Sequence, residues 1–317
     1  MSKNDILYLV IPCYNEEEVL HETARQLLEK MNSLFERGMI SKESKIMFVN
    51  DGSRDGTWEI IEELHRSNPI YVGVKLSRNK GHQNALLAGL MTAKERADMT
   101  ISMDADLQDD IGVIDQMVEK YQEGNDIVYG VRSARKKDTF FKRCTAQGFY
   151  KVMKFLGVDI VYNHADCRLM SKRALEGLSE FQEVNLFLRG IVPLIGYKSA
   201  IVTYERNERF AGESKYPLKK MLAFATDGIT SFSIKPIRLI TISGFVIFLI
   251  SLCMLIYSIW VHFFGDTVWG WTSTIVSIWA IGGLQLLAIG IVGEYIGKIY
   301  METKARPKYI IEEILED

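Results

Sequence analysis

A chain of 317 residues with a net charge of −2 offers no global electrostatic footprint for nucleic acid. Its length suits one large domain or two smaller ones. Its four cysteines (Cys13, Cys144, Cys167 and Cys253) lack metal or redox spacing and fit a reducing compartment. The polar N-terminus and the short apolar run Ile6–Ile11 do not resemble a signal peptide, so the first domain is expected in the cytoplasm.

Residues 1–131 alternate strand and helix signals. Strands are expected at Ile6–Ile11, Lys45–Asn50, Tyr71–Leu76, Met99–Met103 and Asp126–Val131, with helical patterns between them such as Glu17–Phe35 and Thr57–His65. This alternation predicts an α/β domain with a mostly parallel sheet. In such sheets ligands sit beyond the carboxyl ends of the strands, and the distinctive polar residues cluster there. Pro12-Cys13-Tyr14-Asn15-Glu16 follows the first strand, Asn50-Asp51-Gly52-Ser53 the second, and Asp104-Ala105-Asp106 the fourth. In the second group Asp55 is placed to cap a helix, which leaves Asp51 to accept hydrogen bonds from a base or ribose. Arg78-Asn79-Lys80-Gly81-His82 reads as a turn into a helix near Gln83; a phosphate or sugar role and a solvated turn fit it equally.

Asp104 and Asp106 stand at i and i+2 as an apolar strand ends, so an extended backbone puts both carboxylates on one face. Hard oxygen ligands in that arrangement suit Mg²⁺ or Mn²⁺, which also grips the phosphates of a nucleotide. Asp166 stands two residues before Arg168, and a salt bridge between them is the plain structural reading.

Further along, Arg132 to Arg143 carries six Lys or Arg against one Asp, which is assigned to phosphates and lipid headgroups. Residues near 139–156 and 217–234 mix aromatic and aliphatic with basic side chains and read as amphipathic helices on a membrane surface. From Leu239 to Gly265, and again from Thr267 to Gly293, there is no Asp, Glu, Lys or Arg. Each run exceeds the roughly 20 residues needed to span the hydrocarbon core. Two transmembrane helices are expected, about 237–262 and 268–296, within a membrane region 236–298 that follows a domain 1–235 and precedes a cytoplasmic tail 299–317. Lys235, Arg238, Lys298, Lys304, Arg306 and Lys308 flank the runs, whereas the connecting loop has no Lys or Arg. The positive-inside rule then puts both chain ends in the cytoplasm. Gly293 and Gly297 form a small-xxx-small pair that suits packing of helices within or between subunits, so a homo-oligomer is plausible.

The ordered series IPCYNEEE, VNDGSRDGT, RNKGHQNA, MDADLQDD, YGVR, ADCRLMSK and RFAGESKYPLKKM resembles family 2 glycosyltransferases of the GT-A fold, over residues 5–235. With the two following spans it is similar to the polyprenyl-phosphate glycosyltransferases, which include dolichol-phosphate mannose synthases and bacterial enzymes that load a sugar onto undecaprenyl phosphate. The resemblance implies a GT-A (Rossmann-like) domain. Pro12, Tyr14, Glu16 and Asp51 would hold the nucleotide, with Asp104 and Ala105 beside it. Asp104, Asp106 and Gln108 would surround the metal, Mg²⁺ or Mn²⁺. Arg132 would bind phosphate or donor, and Arg209, Ser214 and Lys215 a phosphate of the lipid or the donor. Asp106 and Asp166 would be catalytic, Asp166 matching the carboxylate assigned as base. A phosphate acceptor is largely dianionic at neutral pH, so Asp166 also suits positioning the acceptor or stabilising charge on the sugar.

The implied reaction is inverting transfer of a hexose from a nucleotide-diphosphate sugar to polyprenyl phosphate at the inner (cell) membrane, with a separate flippase downstream. UDP-glucose is the first choice, then UDP-N-acetylglucosamine, then GDP-mannose. Asp109-Asp110 departs from many dolichol-type relatives and leans away from the mannose synthases. The absence of an Arg-Trp pair disfavours a processive polysaccharide synthase. A non-catalytic nucleotide-binding scaffold is the alternative of another class, and the retained Asp104, Asp106, Asp166 and Lys215 argue against it.

Overall fold

The computed structural model describes residues 5–132, 164–184, 186–204, 235–264 and 270–316. At its centre β1 (Leu7–Cys13) is apolar almost throughout rather than alternating, and all seven residues are buried. A run of this kind belongs to a strand covered on both faces. β2 (Lys45–Asn50) and β4 (Met99–Ser102) pair with β1 on either side, and β3 (Tyr71–Leu76) pairs with β2, all in parallel. Pro12 is tolerated in so central a strand because the β1–β4 ladder ends at Val10 and Ser102. Its missing N–H therefore faces an edge that β4 has already left.

Four helices occupy the crossovers: α1 (Leu20–Glu36), α2 (Thr57–Ser67), α3 (His82–Lys94) and α4 (Val113–Gln122). In α1 the buried residues Leu20, Ala24, Leu27, Met31 and Leu34 recur every three or four positions, forming one stripe against the core. α3 is buried more continuously, from Ala85 to Leu90. A Cβ on its Gly89 would lie 2.5 Å from Val10 Cγ1 and 2.6 Å from Val49 Cγ2. That absence of a side chain lets α3, which begins at His82, lie directly on β1 and β2.

Beyond α4 come β5 (Ile127–Arg132), β6 (His164–Ser171), α5 (Lys172–Ser179), α6 (Leu188–Leu194) and β7 (Ser199–Tyr204). A last strand, β8 (Ile311–Leu315), completes an eight-stranded sheet of order β7-β5-β6-β4-β1-β2-β3-β8. Six strands share one direction, in agreement with a mostly parallel α/β sheet. The two opposed strands are β6, inserted between β4 and β5, and β8 against β3. β6 matters most for the site. Its register with β4 sets Met99 against Ser171 and Ser102 against Arg168. Continued two residues further on each strand, that register brings Asp104 opposite Asp166.

β8 lies in the segment 299–317 that the sequence suggests is a tail. Its Leu315 packs where a Cβ on Gly73 would sit. The Ser77 N–H donates to the Ile310 carbonyl (3.0 Å), and Arg96 pairs with Glu316 at 2.7 Å. Glu312 and Glu313 stand side by side between Ile311 and Ile314, so this short edge strand lacks the period-two alternation by which a half-exposed strand is recognised.

The chain divides into two compact units, one of residues Met1–Tyr150, Ile160–Pro217 and Arg306–Asp317, the other of Lys151–Asp159 and Leu218–Ala305. The second contains α7 (Lys235–Phe264) and α8 (Trp271–Lys304), 30 and 34 residues long. Among the described residues one segment, Ile281–Lys304, is long and apolar enough to cross a membrane, and none of its apolar window is buried.

Deleting residues 311–317 should destabilise the first unit by on the order of 2–4 kcal/mol, since it removes a strand ladder and uncovers the β3 edge. Urea denaturation of the truncated and full-length proteins measures this; equal midpoints would show that β8 adds nothing to the sheet.

Candidate active site

Three loops leave the carboxyl ends of β1, β2 and β3 and lock onto one another. The Asn15 N–H donates to Ser53 Oγ (3.0 Å), and Asn15 Oδ1 accepts from the Arg54 N–H (2.9 Å). The Glu16 N–H donates to Thr57 Oγ1 (2.9 Å), and Glu17 Oε2 accepts from the Gly56 N–H (2.8 Å). Asp55 behaves as its position suggests, accepting from both the Thr57 N–H and hydroxyl. Asp51 is not left open as the sequence reading has it. It is buried, and its two carboxylate oxygens accept from the Lys80 N–H (2.7 Å) and the Gly81 N–H (2.8 Å). Burial, only partly offset by those bonds, raises its pKa above the ordinary value. Gly52, at φ +63°, makes the same connection: a Cβ there would lie 2.6 Å from the backbone of Arg78 and Asn79. Much of what looks like ligand-binding text thus holds the ligand loops together.

The fourth loop carries Asp104, Ala105, Asp106 and Gln108. The buried Thr23 hydroxyl, from α1, donates to the Ala105 carbonyl (2.8 Å) and anchors this loop from below. Leu107 adopts φ +54°, a left-handed conformation unfavourable for a branched residue by roughly 1 kcal/mol. With the chain so turned, the Gln108 N–H donates to Asp106 Oδ1 (3.2 Å) and orients that carboxylate. Strain of this kind persists where the surroundings over-determine it, as functional loops do.

Facing Asp104, Ser102 Oγ donates to the Asp166 carbonyl (2.6 Å), tying β6 to β4 beside the site. His82, the first residue of α3, places Nε2 3.6 Å from Asp104 Oδ1 and 3.7 Å from Asp166 Oδ2. Ligand atoms of His82, Asp104 and Asp166 lie within 4.8 Å of one another. Burial pushes the Asp104 carboxyl up to about 6, reinforced by the charges of Asp166, Asp109 and Asp106 and opposed by His82. For Asp166 burial also acts upward, but Arg189, with His82 and Arg168, overrides it and holds the carboxyl well below the usual range. The Asp166 ion pair is with Arg189, not with the neighbouring Arg168. Arg189 Nε reaches Oδ1 at 3.0 Å and one of its Nη groups reaches Oδ2 at 2.9 Å. Arg168 is instead buried, with its Cζ 5.7 Å from the Tyr129 ring.

Among the expected site residues, Pro12 is the penultimate residue of β1 within the core sheet, Tyr14 is exposed just past the strand, and Ala105 and Gln108 are buried in the aspartate loop. Arg132 closes β5, its backbone in register with Tyr204. Arg209, Ser214 and Lys215, and the expected interfacial helices near 139–156 and 217–234, lie outside the described residues. Thr23 and Arg189 were not anticipated. Arg189 does leave a trace in the sequence, a lone charge within the apolar stretch Leu186–Leu194. The donor chemistry of Asp104, Asp106 and the Gln108 amide suits Mg²⁺ or Mn²⁺.

Residues 8–179 match the family model for glycosyl transferase family 2. The chain belongs to glycosyl transferase family 2. It is 58% identical to an uncharacterized glycosyltransferase, YkoT, of Bacillus subtilis, over 97% of this chain and 91% of that protein. It is 42% identical to a prophage bactoprenol glucosyl transferase homolog of Escherichia coli, over 96% and 98%. It is also 42% identical to the bactoprenol glucosyl transferase of Shigella phage SfV, over 96% and 97%. This glycosyltransferase thus shares nearly its full length with those relatives.

Replacing Asp51 by Ala strands two backbone N–H groups in a buried place and should destabilise the enzyme by about 2–4 kcal/mol, with Asp51→Asn milder. Chemical denaturation gives the stability. An Asp51→Ala protein as stable as the parent would show that water satisfies the loop instead.

Proposed function

We propose that this glycosyltransferase moves a hexose, glucose as the first choice, from a UDP-sugar to the phosphate of a polyprenyl phosphate at the cytoplasmic membrane face, inverting the anomeric carbon. The observation that carries this is the convergence of Asp104, Asp106, Asp166, His82 and Arg189 at the carboxyl ends of the strands. Carboxylates this crowded suit a cation, and phosphates brought beside them need one. The bactoprenol glucosyl transferase names of full-length relatives support glucose and a polyprenyl carrier.

Asp104 and Asp106, with Gln108 beside them, would hold Mg²⁺ or Mn²⁺. Bound there, the cation would supply Lewis-acid stabilisation of the leaving diphosphate. Tyr14 and Glu16, on the loop latched to Ser53 and Thr57, would line the nucleotide subsite with Pro12 and Ala105. Asp51 would serve it by holding the Lys80–Gly81 turn. Arg132, Arg209, Ser214 and Lys215 would meet phosphate oxygens. A scaffold without catalysis would have no use for so costly a group of carboxylates.

Chain topology supports a two-span membrane anchor. β1 to β7 precede α7 and α8, β8 follows them, and all eight strands share one sheet. Chain on both sides of the helical segment therefore lies in one compartment, which requires an even number of crossings. With Ile281–Lys304 apolar enough to cross, α7 is the natural return span, since residues 239–264 contain no charged side chain.

Purified protein, undecaprenyl phosphate and a panel of labelled UDP- and GDP-sugars should yield chelator-sensitive label in the organic phase, strongest from UDP-glucose. Asp106→Ala should reduce that turnover at least a hundredfold while membrane association persists; full activity would remove Asp106 from the metal site. Protons compete with the cation for Asp104, whose carboxyl lies at about 6. Mn²⁺ affinity by calorimetry should accordingly be flat above neutrality and fall by roughly tenfold per pH unit below pH 6. A pH-independent affinity down to pH 5 would exclude Asp104 as a ligand.

A further inference from the structure

Arg189 is held from two directions. Asp166 takes Nε and an Nη group in a fork, at 3.0 and 2.9 Å, and the backbone N–H of the preceding residue, Leu188, donates to Gln83 Oε1 (2.9 Å). Gln83 follows His82 at the start of α3, so the tether that seats α6 sits next to the side chain touching Asp104 and Asp166. The pair is partly exposed, with 32% of the Arg189 side chain and 22% of the Asp166 side chain open, whereas Arg168 is sealed in the core at 4%. Of these two arginines only Arg189 is placed to meet a ligand. A guanidinium offers five N–H donors in a rigid plane and recognises phosphate as well as carboxylate.

We propose that Arg189 binds a phosphate oxyanion of the reactants, and that Asp166 is the positioning residue that aims it rather than an acceptor of a proton. This rests on the transfer reaction proposed above. The balance of that reaction needs no base. An oxygen of the acceptor phosphate dianion forms the bond to the anomeric carbon, and the bond from that carbon to the donor diphosphate breaks, its electron pair leaving with the diphosphate. The acceptor becomes a monoanionic diester, the nucleoside diphosphate carries away the extra negative charge, and no proton moves. A second phosphate pKa near ~6 makes the dianion the main form at neutral pH. A carboxylate already clamped by a guanidinium is also poorly suited to receive a proton, while it is well suited to keep that guanidinium in one orientation.

The oxyanion belongs either to the donor diphosphate or to the lipid phosphate, and binding measurements separate the two. Full-length protein in nanodiscs, as wild type, R189K, D166N and the double variant, is titrated with UDP plus Mn²⁺ and, separately, with undecaprenyl phosphate. R189K and D166N should each weaken the same ligand by about tenfold or more. The ligand affected names the source. The double variant should be no worse than the weaker single one, because the two side chains act as a unit. The acid limb of kcat against pH should be retained in D166N, and melting temperatures should stay close to wild type.

The proposal is overturned if R189K binds both ligands normally, or if the variants lose only thermal stability. It is equally overturned if D166N binds normally but loses kcat a hundredfold together with its acid limb, the signature of a base. If D166N does not fold, R189K alone decides the binding comparison. Should wild type transfer no sugar, the function proposed above falls, while the phosphate titrations still decide the role of Arg189.

Discussion

The burial of neighbouring carboxylates at one end of the sheet is the constraint on which this structure turns. Asp104, Asp106, Asp109 and Asp166 share one end of the sheet, and burial, reinforced by the charges of the other three, lifts the Asp104 carboxyl above its ordinary range. Such a cluster is costly to bury without partners. It is held by the antiparallel β4–β6 register, by the Ser102 hydroxyl on the Asp166 carbonyl, and by two cationic or polar partners, Arg189 on Asp166 and His82 between Asp166 and Asp104.

The surrounding loops show how much of a binding motif is scaffold. The side chains of Asn15, Glu17, Ser53 and Thr57 accept from backbone N–H groups of the facing loop, Asp55 accepts from the Thr57 hydroxyl, and the Asp51 carboxylate accepts from the Lys80–Gly81 turn. Each bond contributes about 1 kcal/mol, more where the acceptor is charged and buried. Collectively they pre-organise three loops around a concave space, so a ligand meets groups already in place. The strained Leu107 and the Thr23 hydroxyl under Ala105 extend the same preparation to the aspartate loop. At the opposite edge of the sheet β8 returns next to β3, with the Ser77 N–H on Ile310 and the Lys80 Nζ within 3.5 Å of the Pro307 carbonyl. The turn that Asp51 grips is thereby bordered on its other side by chain that has already passed through α7 and α8.

The apolar runs of β1 to β5, the amphipathic stripes of α1 and α2, and the long uncharged stretches after residue 238 follow from local composition, and the sequence determined them. The spacing of Asp104 and Asp106 by two suggests an extended strand with both on one face, but β4 ends at Ser102 and both residues belong to the loop that follows, where the turn at Leu107 and the Gln108 N–H set the Asp106 carboxylate. The partner of Asp166, the employment of Asp51, the anchoring role of Thr23 and the strand identity of Ile311–Leu315 were decided only by the tertiary structure. Their partners lie 23, 29, 82 and more than 200 residues away in the chain. No local period encodes such separations. Asp166 and Arg168 sit on one face of β6 by local geometry, yet cross-strand burial draws Arg168 onto Tyr129 and leaves Asp166 to Arg189 on a different element. Periodicity reports which face a residue occupies; what it meets there depends on the register of strands far apart in sequence, and that register is settled by packing of the whole sheet.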